Sequence, residues 1–257
     1  MYIRATHAEG SIRVLRQLIR ENPLGILTTG IASTKYPFLQ SSHIPFVLDV
    51  VDNTSETELG TLRGHMARAN PHSKAMMDAL TAPDRPSTAE ANFLEQEVLV
   101  LFSSPTHHYV TPKFYTETKP DTGKVVPTWN YAAAQAYGRA RIYFDTKAPE
   151  TSEYLSRQVD ALTRQCEGSI MGYTGQDGRP GPWEVSDAPE RYVDLLKKAI
   201  IGIEITIDRL EGKFKMSQES TKGDVQGVVR GFEAMESDVA QDMAKMVKER
   251  CAAQLSK

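Results

Sequence analysis

Between residues 24 and 144 the chain carries a succession of short strand-like segments joined by short connections. A parallel sheet needs a crossover of about a dozen residues or more between neighbouring strands, and the connections between the central segments are too short to form one. A further alternating segment lies at 201–210. This succession therefore predicts a barrel with helices packed on its outside.

Hydrophobic periodicity predicts where the individual strands and helices lie in the sequence. Strands are predicted at 24–29, 39–50, 59–65, 97–103, 135–144 and 201–215, and Pro45 is expected to mark an edge or a bulge in the second of them. Helices are predicted at 11–21, from Pro71 onward, and at 149–166, 189–200 and 239–255. Residues 106–112 are expected to be the hairpin partner of 97–103, and Gly138 is expected to mark a bulge. Residues 81–92 and 116–124 are predicted to be loops, and the terminal helix is expected to be exposed.

Composition argues against several classes of protein. The 257 residues carry a formal net charge of −3, so no global basic field favours nucleic acid or an anionic membrane. No apolar run approaches the roughly 20 residues of a membrane span, and the N-terminus lacks the apolar core of a secretory signal. The two cysteines, Cys166 and Cys251, fit a reducing compartment. We therefore expect an intracellular protein, cytoplasmic with the nucleus left open.

The segment from Gly64 to Pro71 reads GHMARANP and joins a predicted strand to a predicted helix. Asn70 is a favourable N-cap, and Pro71 suits the first helical position because its missing N–H would have no partner there. Backbone N–H groups at a helix start attract anions, and Arg68 lies two residues before the cap. The segment is either a phosphate site or an ordinary capped helix with solvated charges.

Four polar or aromatic clusters lie at or just beyond the ends of predicted strands. They are residues 41–43 (SSH), 64–70 (GHMARAN), 127–131 (PTWNY) and 213–218 (KFKMSQ). Strand ends of a barrel converge on a rim, so these clusters can meet in space. Together they contain what a phosphorylated aromatic cofactor requires: cations, flat rings, and amide and hydroxyl groups.

Each cluster also has an ordinary structural explanation. Taken alone, Trp129 is more typical of a core residue than of a cofactor platform, and Lys213 and Lys215 are equally consistent with a solvated pair. His43 and His65 are open to roles as acid/base groups, as haem ligands or as hydrogen-bonded structural histidines.

Sequence motifs do not indicate a metal site or a catalytic nucleophile. His107 and His108 are adjacent on a strand and point to opposite faces, so no metal site is expected there. The chain has no GxSxG, GxGxxG or GxxxxGK[ST] motif at a suitable junction. Any chemistry is therefore expected to come from a cofactor.

The ordered set of motifs is more specific than any single one. The motifs are SSHIPF, GHMARANP, EVLVLF, YVTP, VVPTWNY, the WxVxDAPExY run at 183–192 and EGKFKMSQ. In this order they resemble the PaiB family, which comprises FMN-binding split-barrel proteins often labelled negative transcriptional regulators. The resemblance covers about residues 1–232.

This resemblance implies an α+β, mostly β fold: an antiparallel split β-barrel of the pyridoxamine-phosphate-oxidase type with peripheral helices. Residues 1–232 would form the FMN-binding domain, with inserted helices at about 149–200, and residues 233–257 a helical tail. The resemblance also implies a homodimer with FMN at the subunit interface.

By position, the residues near the FMN phosphate and ribityl chain would be His65, Met66, Ala67, Arg68 and Asn70, with Ser42 and His43 close by. The residues near the isoalloxazine or ribityl chain would be Thr128, Trp129 and Asn130, and those closing the site, from this subunit or the second, would be Lys213, Lys215, Ser217 and Gln218.

The chain departs from the family pattern at three places. Glu219 and Ser220 stand where an Asn and a basic residue are usual, and a carboxylate near a phosphate is unfavourable unless it points away. Ser73 replaces a common aromatic residue. The chain from about Ala234 extends beyond the usual core.

The resemblance leaves three functions open. The first is an FMN-binding protein that serves as a flavin-dependent oxidoreductase or a flavin-binding regulatory protein. The second is a PaiB-type transcriptional regulator acting with or without flavin, for which the charge gives little support. The third is a haem-binding or haem-degrading split barrel. The substrate and the electron donor are not assigned.

Overall fold

The structure is a computed structural model that describes residues 1–83, 85, 90 and 92–255. The predicted loop at 81–92 therefore lies partly outside the described residues, as do the last two residues of the predicted tail.

The chain forms nine strands and eight helices in the described part. The strands are β1 (Ala8–Glu9), β2 (Leu24–Gly30), β3 (Leu39–Pro45), β4 (Val47–Asp49), β5 (Thr61–Ala67), β6 (Val98–Ser103), β7 (His108–Val110), β8 (Thr128–Tyr143) and β9 (Ile200–Lys215). The helices are α1 (Ile12–Glu21), α2 (Pro71–Leu80), α3 (Thr118–Thr122), α4 (Pro149–Gln165), α5 (Glu190–Lys198), α6 (Lys222–Glu233), α7 (Asp238–Arg250) and α8 (Ala252–Leu255).

Internal contacts divide the chain into two compact units. The first unit comprises Met1–Leu18, Phe102–Gln135 and Glu211–Lys257, and the second comprises Ile19–Leu101 and Ala136–Leu210. Each unit is assembled from separate stretches of chain, so each brings together residues that are distant in sequence.

The second unit contains a curled sheet with the strand order β3-β2-β6-β8-β9-β5-β4. Strand β2 pairs antiparallel with β3 and β6, and β5 pairs antiparallel with β4 and β9. Strands β3 and β5 are not neighbours in this order but contact each other, so the sheet is curled; a Cβ on Gly64 of β5 would lie 3.0 Å from the Ile44 side chain of β3. Helix α4 packs outside through Tyr154 and Leu155. The predicted antiparallel split-barrel class with peripheral helices is thus confirmed.

The first unit is built on the remaining strand pairs and the C-terminal helices. Strand β1 pairs with β9 at Ala8 and Lys213, and β7 pairs with β8 at Tyr109 and Trp129. Helix α6 packs against α7, and the buried side chains of these two helices include Val228, Phe232, Met243 and Val247.

Two strand predictions were wrong. The predicted strand 39–50 is interrupted at Phe46, directly after Pro45, because proline cannot donate a ladder hydrogen bond. The segment 106–112 was expected to pair with 97–103, but its strand β7 pairs with β8. Gly138 lies within the continuous strand β8, where a Cβ would lie 2.0 Å from the Thr206 carbonyl oxygen, so the glycine permits close approach of a neighbouring backbone.

The helices differ from the sequence-based expectations in three respects. The predicted loop 116–124 contains helix α3, which ends at Gly123 in the left-handed conformation. Helix α6 was not predicted. The terminal helix was expected to be exposed, but α7 buries Ala240, Met243 and Val247. In the part of the chain that the structure describes, no helix has the length and apolar character needed to cross a membrane.

Candidate functional site

The predicted site residues fall into two groups, one within each unit. The group in the second unit is Ser42, His43, His65, Met66, Ala67, Arg68 and Asn70, and the group in the first unit is Thr128, Trp129, Asn130, Lys213, Lys215, Ser217 and Gln218. The predicted phosphate segment lies in the second unit.

The start of helix α2 has the predicted cap. Asn70 has an extended backbone, its side-chain oxygen accepts a hydrogen bond from the His72 N–H at 2.9 Å, and Pro71 occupies the first helical position. One early N–H is therefore satisfied within the chain, and another is absent because of the proline. An anion here has to rely on side chains more than at an uncapped helix.

Arg68 holds three parts of the second unit together. Its Nε donates to the Lys198 carbonyl oxygen at 3.2 Å, one terminal nitrogen donates to the Phe144 carbonyl oxygen, and the other contacts the Met77 sulfur at 3.3 Å. A guanidinium has five N–H donors. Two N–H groups, one on each terminal nitrogen, thus have no partner among the described residues. Arg68 therefore stabilises the second unit through three contacts and still has two N–H donors that a ligand could accept.

His65 has an unsatisfied ring nitrogen. It lies half-buried on β5, and its Nδ1 is enclosed without a hydrogen-bond partner among the described residues. Burial lowers the pKa of His65, which favours the neutral ring at pH 7. An unpaired buried polar atom is costly, so a ligand or solvent partner at this nitrogen would be favourable.

His72 was not singled out from the sequence, yet it organises this group. Its Nε2 lies 2.8 Å from the Thr29 Oγ1 and its Nδ1 lies 3.0 Å from the Ser42 Oγ. Burial lowers the pKa of His72 to about 4, so the ring is neutral at pH 7, with one nitrogen donating and the other accepting. The signal in the sequence was a histidine directly after the Asn-Pro cap, which places it in the first helical turn.

The other predicted residues of this group differ in accessibility. Met66 is buried, whereas His43 and Ala67 are exposed. Ser73 is completely buried and donates to the Ala67 carbonyl oxygen at 2.8 Å. At this departure from the family pattern, Ser73 therefore forms a buried hydrogen bond to the backbone of the β5–α2 turn.

In the first unit, two lysines approach the beginning of β8. The Lys215 ammonium donates to the Thr128 hydroxyl and, at 3.1 Å, to the Trp129 carbonyl oxygen. Lys213 is buried, donates to the Tyr2 carbonyl oxygen at 3.2 Å and lies 5.2 Å from the Tyr131 ring centre. Burial lowers the pKa of Lys215, and the neighbouring charge of Lys213 acts in the same direction. The interpretation of these lysines as a solvated pair was therefore wrong.

The side chains at the end of the KFKMSQ segment form hydrogen bonds within the first unit. Asn130 and Ser217 are both buried and bond to each other at 3.0 Å. Ser217 adopts a left-handed backbone with φ of 64°. Gln218 accepts from the Met216 N–H and donates to the Phe214 carbonyl oxygen, each at 2.6 Å. The side chains of Asn130, Ser217 and Gln218 therefore stabilise the backbone conformation of the segment that follows β9.

Trp129 is 52% exposed, so its interpretation as a core residue was wrong. Its ring lies 5.9 Å from the His107 ring and 6.1 Å from the Tyr109 ring, and Tyr109 is exposed as well. This cluster presents an accessible flat surface of the kind that stacks on a planar ligand.

Glu219 is paired within the first unit. Its carboxylate lies 2.9 Å from the Nε2 of the buried His7. Burial, the largest single cause, would raise the pKa of Glu219, but the hydrogen bond from His7, a backbone hydrogen bond and the nearby charge of Lys215 together outweigh it, and the net direction is downward. The unusual acidic residue is thus held as an ion by a partner of its own.

The chemistry of these donors fits a phosphorylated flavin. The second unit has the unpaired His65 nitrogen and the two remaining Arg68 donors, which are suited to phosphate. The first unit has an exposed aromatic surface beside a lysine. The described residues contain no group of three or more His, Cys, Asp or Glu side chains placed to hold a metal ion.

The chain is similar to a family model, to curated proteins and to a solved structure. The family model described as "Putative FMN-binding domain" matches residues 1–209. An uncharacterized protein of Aspergillus fumigatus is 59% identical over 255 residues, which cover 97% of each chain. The Bacillus subtilis protein named protease synthase and sporulation protein PAI 2 is 22% identical over 254 residues, covering 99% of this chain and 98% of that one. The solved structure of a conserved hypothetical protein of Mycobacterium tuberculosis has a TM-score of 0.44 and 13% identity, covering 84% of this chain and 91% of that one.

The family match spans the curled sheet of the second unit, the GHMARANP segment and the Trp129 surface, and the two curated relatives are aligned over nearly their whole length. The chain therefore belongs to the PaiB-like family of FMN-binding split-barrel domains.

Proposed function

We propose that this protein binds FMN and holds the FMN phosphate at the turn between β5 and α2. The family match carries the proposal, and the turn supplies a physical basis for it. Arg68 retains one N–H on each terminal nitrogen, which is the pair of donors that a guanidinium offers to a phosphate. The unpaired Nδ1 of His65 is a further polar group that a ligand would satisfy.

For the flavin ring we propose contacts from the first-unit group. Trp129 offers an exposed face, and the Lys215 ammonium lies beside it on the Thr128 hydroxyl. Asn130, Ser217 and Gln218 shape the backbone around these two residues through bonds of their own. We further propose a homodimer with FMN at the subunit interface, as the resemblance implies.

Bound FMN supplies electron or hydride transfer, which no side chain of this chain provides by itself. We propose that the protein uses this chemistry as a flavin-dependent oxidoreductase or as a flavin-binding regulatory protein. In either role the residues of this chain bind and orient the flavin, and the neutral His65 and the Lys215 ammonium set the charge around it.

The test is a pair of fluorescence titrations of the purified protein, one with FMN and one with riboflavin, which lacks the phosphate. We expect saturable binding of FMN at least about tenfold tighter than that of riboflavin, because one charge-assisted hydrogen bond to phosphate contributes about 1.5–3 kcal/mol. Light scattering of the FMN-loaded protein should give twice the 28.6 kDa of one chain.

Two results would contradict the proposal. If neither flavin binds, the chain is a family member without the cofactor function. If riboflavin binds as tightly as FMN, the phosphate is not held by the protein.

A further inference from the structure

We propose that His7 and Glu219 are positioning residues of the first unit, which keep the Lys215 side chain positively charged beside Trp129. All four residues lie in that unit. The proposed flavin contacts use Lys215 but not this pair, and Glu219 is one of the departures from the family pattern. The role of the pair at a flavin rests on the proposed function, whereas the charge that the pair maintains does not.

Lys215 lies among other cations. Lys213 and Lys215 are two positions apart in strand β9, so their side chains leave the same face of the strand. Lys213 is buried, and the charge of Arg4 also acts on Lys215. Burial and these two like charges all lower the pKa of Lys215, and each of them favours the uncharged amine. An anion close to Lys215 opposes this loss of charge.

Glu219 supplies that anion from the turn that follows β9. The Ser220 N–H donates to the Ser217 carbonyl oxygen at 3.0 Å, which fixes the turn, and the Thr128 hydroxyl accepts from the Lys215 ammonium. After burial, the charge of Glu219 has the largest effect on the pKa of Lys215, and this effect is upward. The carboxylate therefore counteracts the crowding of cations at the end of β9.

His7 fixes the position of the Glu219 carboxylate. The His7 ring is only 2% exposed, and its Nε2 donates to the Glu219 Oε2 at 2.9 Å, because an ionised carboxylate only accepts. Strand β1 pairs with β9 at Ala8 and Lys213, which brings His7 to the end of β9. The other ring nitrogen, Nδ1, is enclosed without a hydrogen-bond partner among the described residues. The buried ring therefore holds the carboxylate and is not part of a wider hydrogen-bond network.

The remaining titratable groups around the pair keep their charge state near pH 8. Burial and the charge of Glu219 raise the pKa of Tyr115, and they raise that of Cys251 to about 11, so both groups are neutral. Tyr131 also faces Lys215 and acts on it in the same direction as Glu219. Removal of the Glu219 charge should therefore act mainly on the lysine.

The test measures how fast acetic anhydride acetylates Lys215 in the flavin-free full chain at pH 8, since only the uncharged amine reacts. Peptide mass spectrometry gives this rate relative to that of Lys245, an exposed lysine of the same unit. We expect Glu219→Gln, which retains hydrogen-bonding groups but no charge, to raise the relative rate at least about threefold. Glu219→Asp, which keeps the charge, should stay close to the wild-type rate. Glu236→Gln, at an exposed position of the same unit, is the matched control and should not change it.

Two further measurements separate the pair from the flavin. His7→Leu should also raise the Lys215 rate, because the carboxylate is no longer held; if this variant does not fold, Glu219→Gln decides. The FMN affinity of the wild-type protein and of Glu219→Gln is then compared between pH 7 and pH 9, where FMN itself ionises identically in both. We expect the affinity of the variant to fall at least about threefold more, because its Lys215 loses the charge at a lower pH.

An unchanged Lys215 rate in Glu219→Gln overturns the proposal, and so does an equal rise in Glu236→Gln. A raised rate without any change in the pH dependence of FMN affinity would show that the pair does not act on the flavin site, which removes its positioning role. Failure of every protein to bind FMN would contradict the proposed function instead, and the acetylation rates would still decide whether the pair maintains the charge of Lys215.

Discussion

At the scale of single residues, two of the three histidines of the second unit, His65 and His72, show how burial favours the neutral ring. His72 has a hydroxyl at each ring nitrogen, whereas His65 has an enclosed nitrogen without a partner. Burial lowers the pKa of both. A neutral His72 is thus part of the fold, and a neutral His65 leaves an unpaired nitrogen for a ligand.

We expect His72→Leu to destabilise the protein by about 1–3 kcal/mol at pH 7, because the buried Thr29 hydroxyl and the half-buried Ser42 hydroxyl lose their partner. Urea unfolding measures this loss. The control is His43→Gln, an exposed histidine next to Ser42, which should unfold like the wild-type protein at pH 7.

The same variant carries a prediction about pH. The folded-state pKa of His72 is about 4, below the ordinary value of about 6.5, so the unfolded chain binds the extra proton first as the pH falls. Stability from the neutral ring is complete above pH 6.5 and is lost between pH 6.5 and 4. From pH 7 to 4.5 the wild-type protein should therefore lose more unfolding free energy than His72→Leu. Equal losses would show that the ring does not titrate in this way.

At the scale of elements, helix α7 is part of the first unit and not an exposed arm. Its residues Ala240, Met243, Ala244 and Val247 recur at helical spacing and are all buried. Near its end, Arg250 pairs with Glu9 and lies 3.7 Å from the Phe214 ring centre. The C-terminal helix therefore contributes to the core.

Met243→Ala should lower the unfolding free energy by about 2–5 kcal/mol, because it leaves a cavity where the side chain is fully buried. Val239→Ala, at an exposed position of the same helix, should change it by less than about 0.5 kcal/mol. Denaturant unfolding of the two variants compares them directly. Equal effects would mean that α7 does not dock as the structure shows.

At the scale of the whole molecule, the sequence predicted most of the architecture. The alternation in 201–215 predicted strand β9 to within one residue, and Asn70-Pro71 predicted the start of α2. Segment 106–112 was assigned the wrong partner, because periodicity shows that a stretch is extended but not which strand it pairs with. Helix α6 was not predicted although Val225, Val228, Val229 and Phe232 recur at helical spacing, because its three glycines weaken the helical pattern.

The sequence predicted the residue types at the candidate site better than it predicted the contacts that these residues make. The cap, the Arg68 position and the polar ends of the strands could be predicted from motifs. The sequence could not show that Arg68 also binds two backbone carbonyl groups, since those partners lie 76 and 130 positions away. The sequence did not indicate the role of His72, because this role arises only when β2, β3 and α2 meet.

The central claim is that the β5–α2 turn holds the FMN phosphate through Arg68. The most direct measurement is the ratio of the riboflavin and FMN dissociation constants, taken for the wild-type protein, for Arg68→Ala and for Lys74→Ala, which changes an exposed lysine near the start of α2. Because both flavins are measured on the same variant, a loss of stability in Arg68→Ala largely cancels from the ratio. We predict that Arg68→Ala lowers the ratio by about 10- to 100-fold, since a charge-assisted contact to phosphate is lost, while Lys74→Ala changes it by less than about threefold. An unchanged ratio in Arg68→Ala would contradict the account and place the phosphate elsewhere.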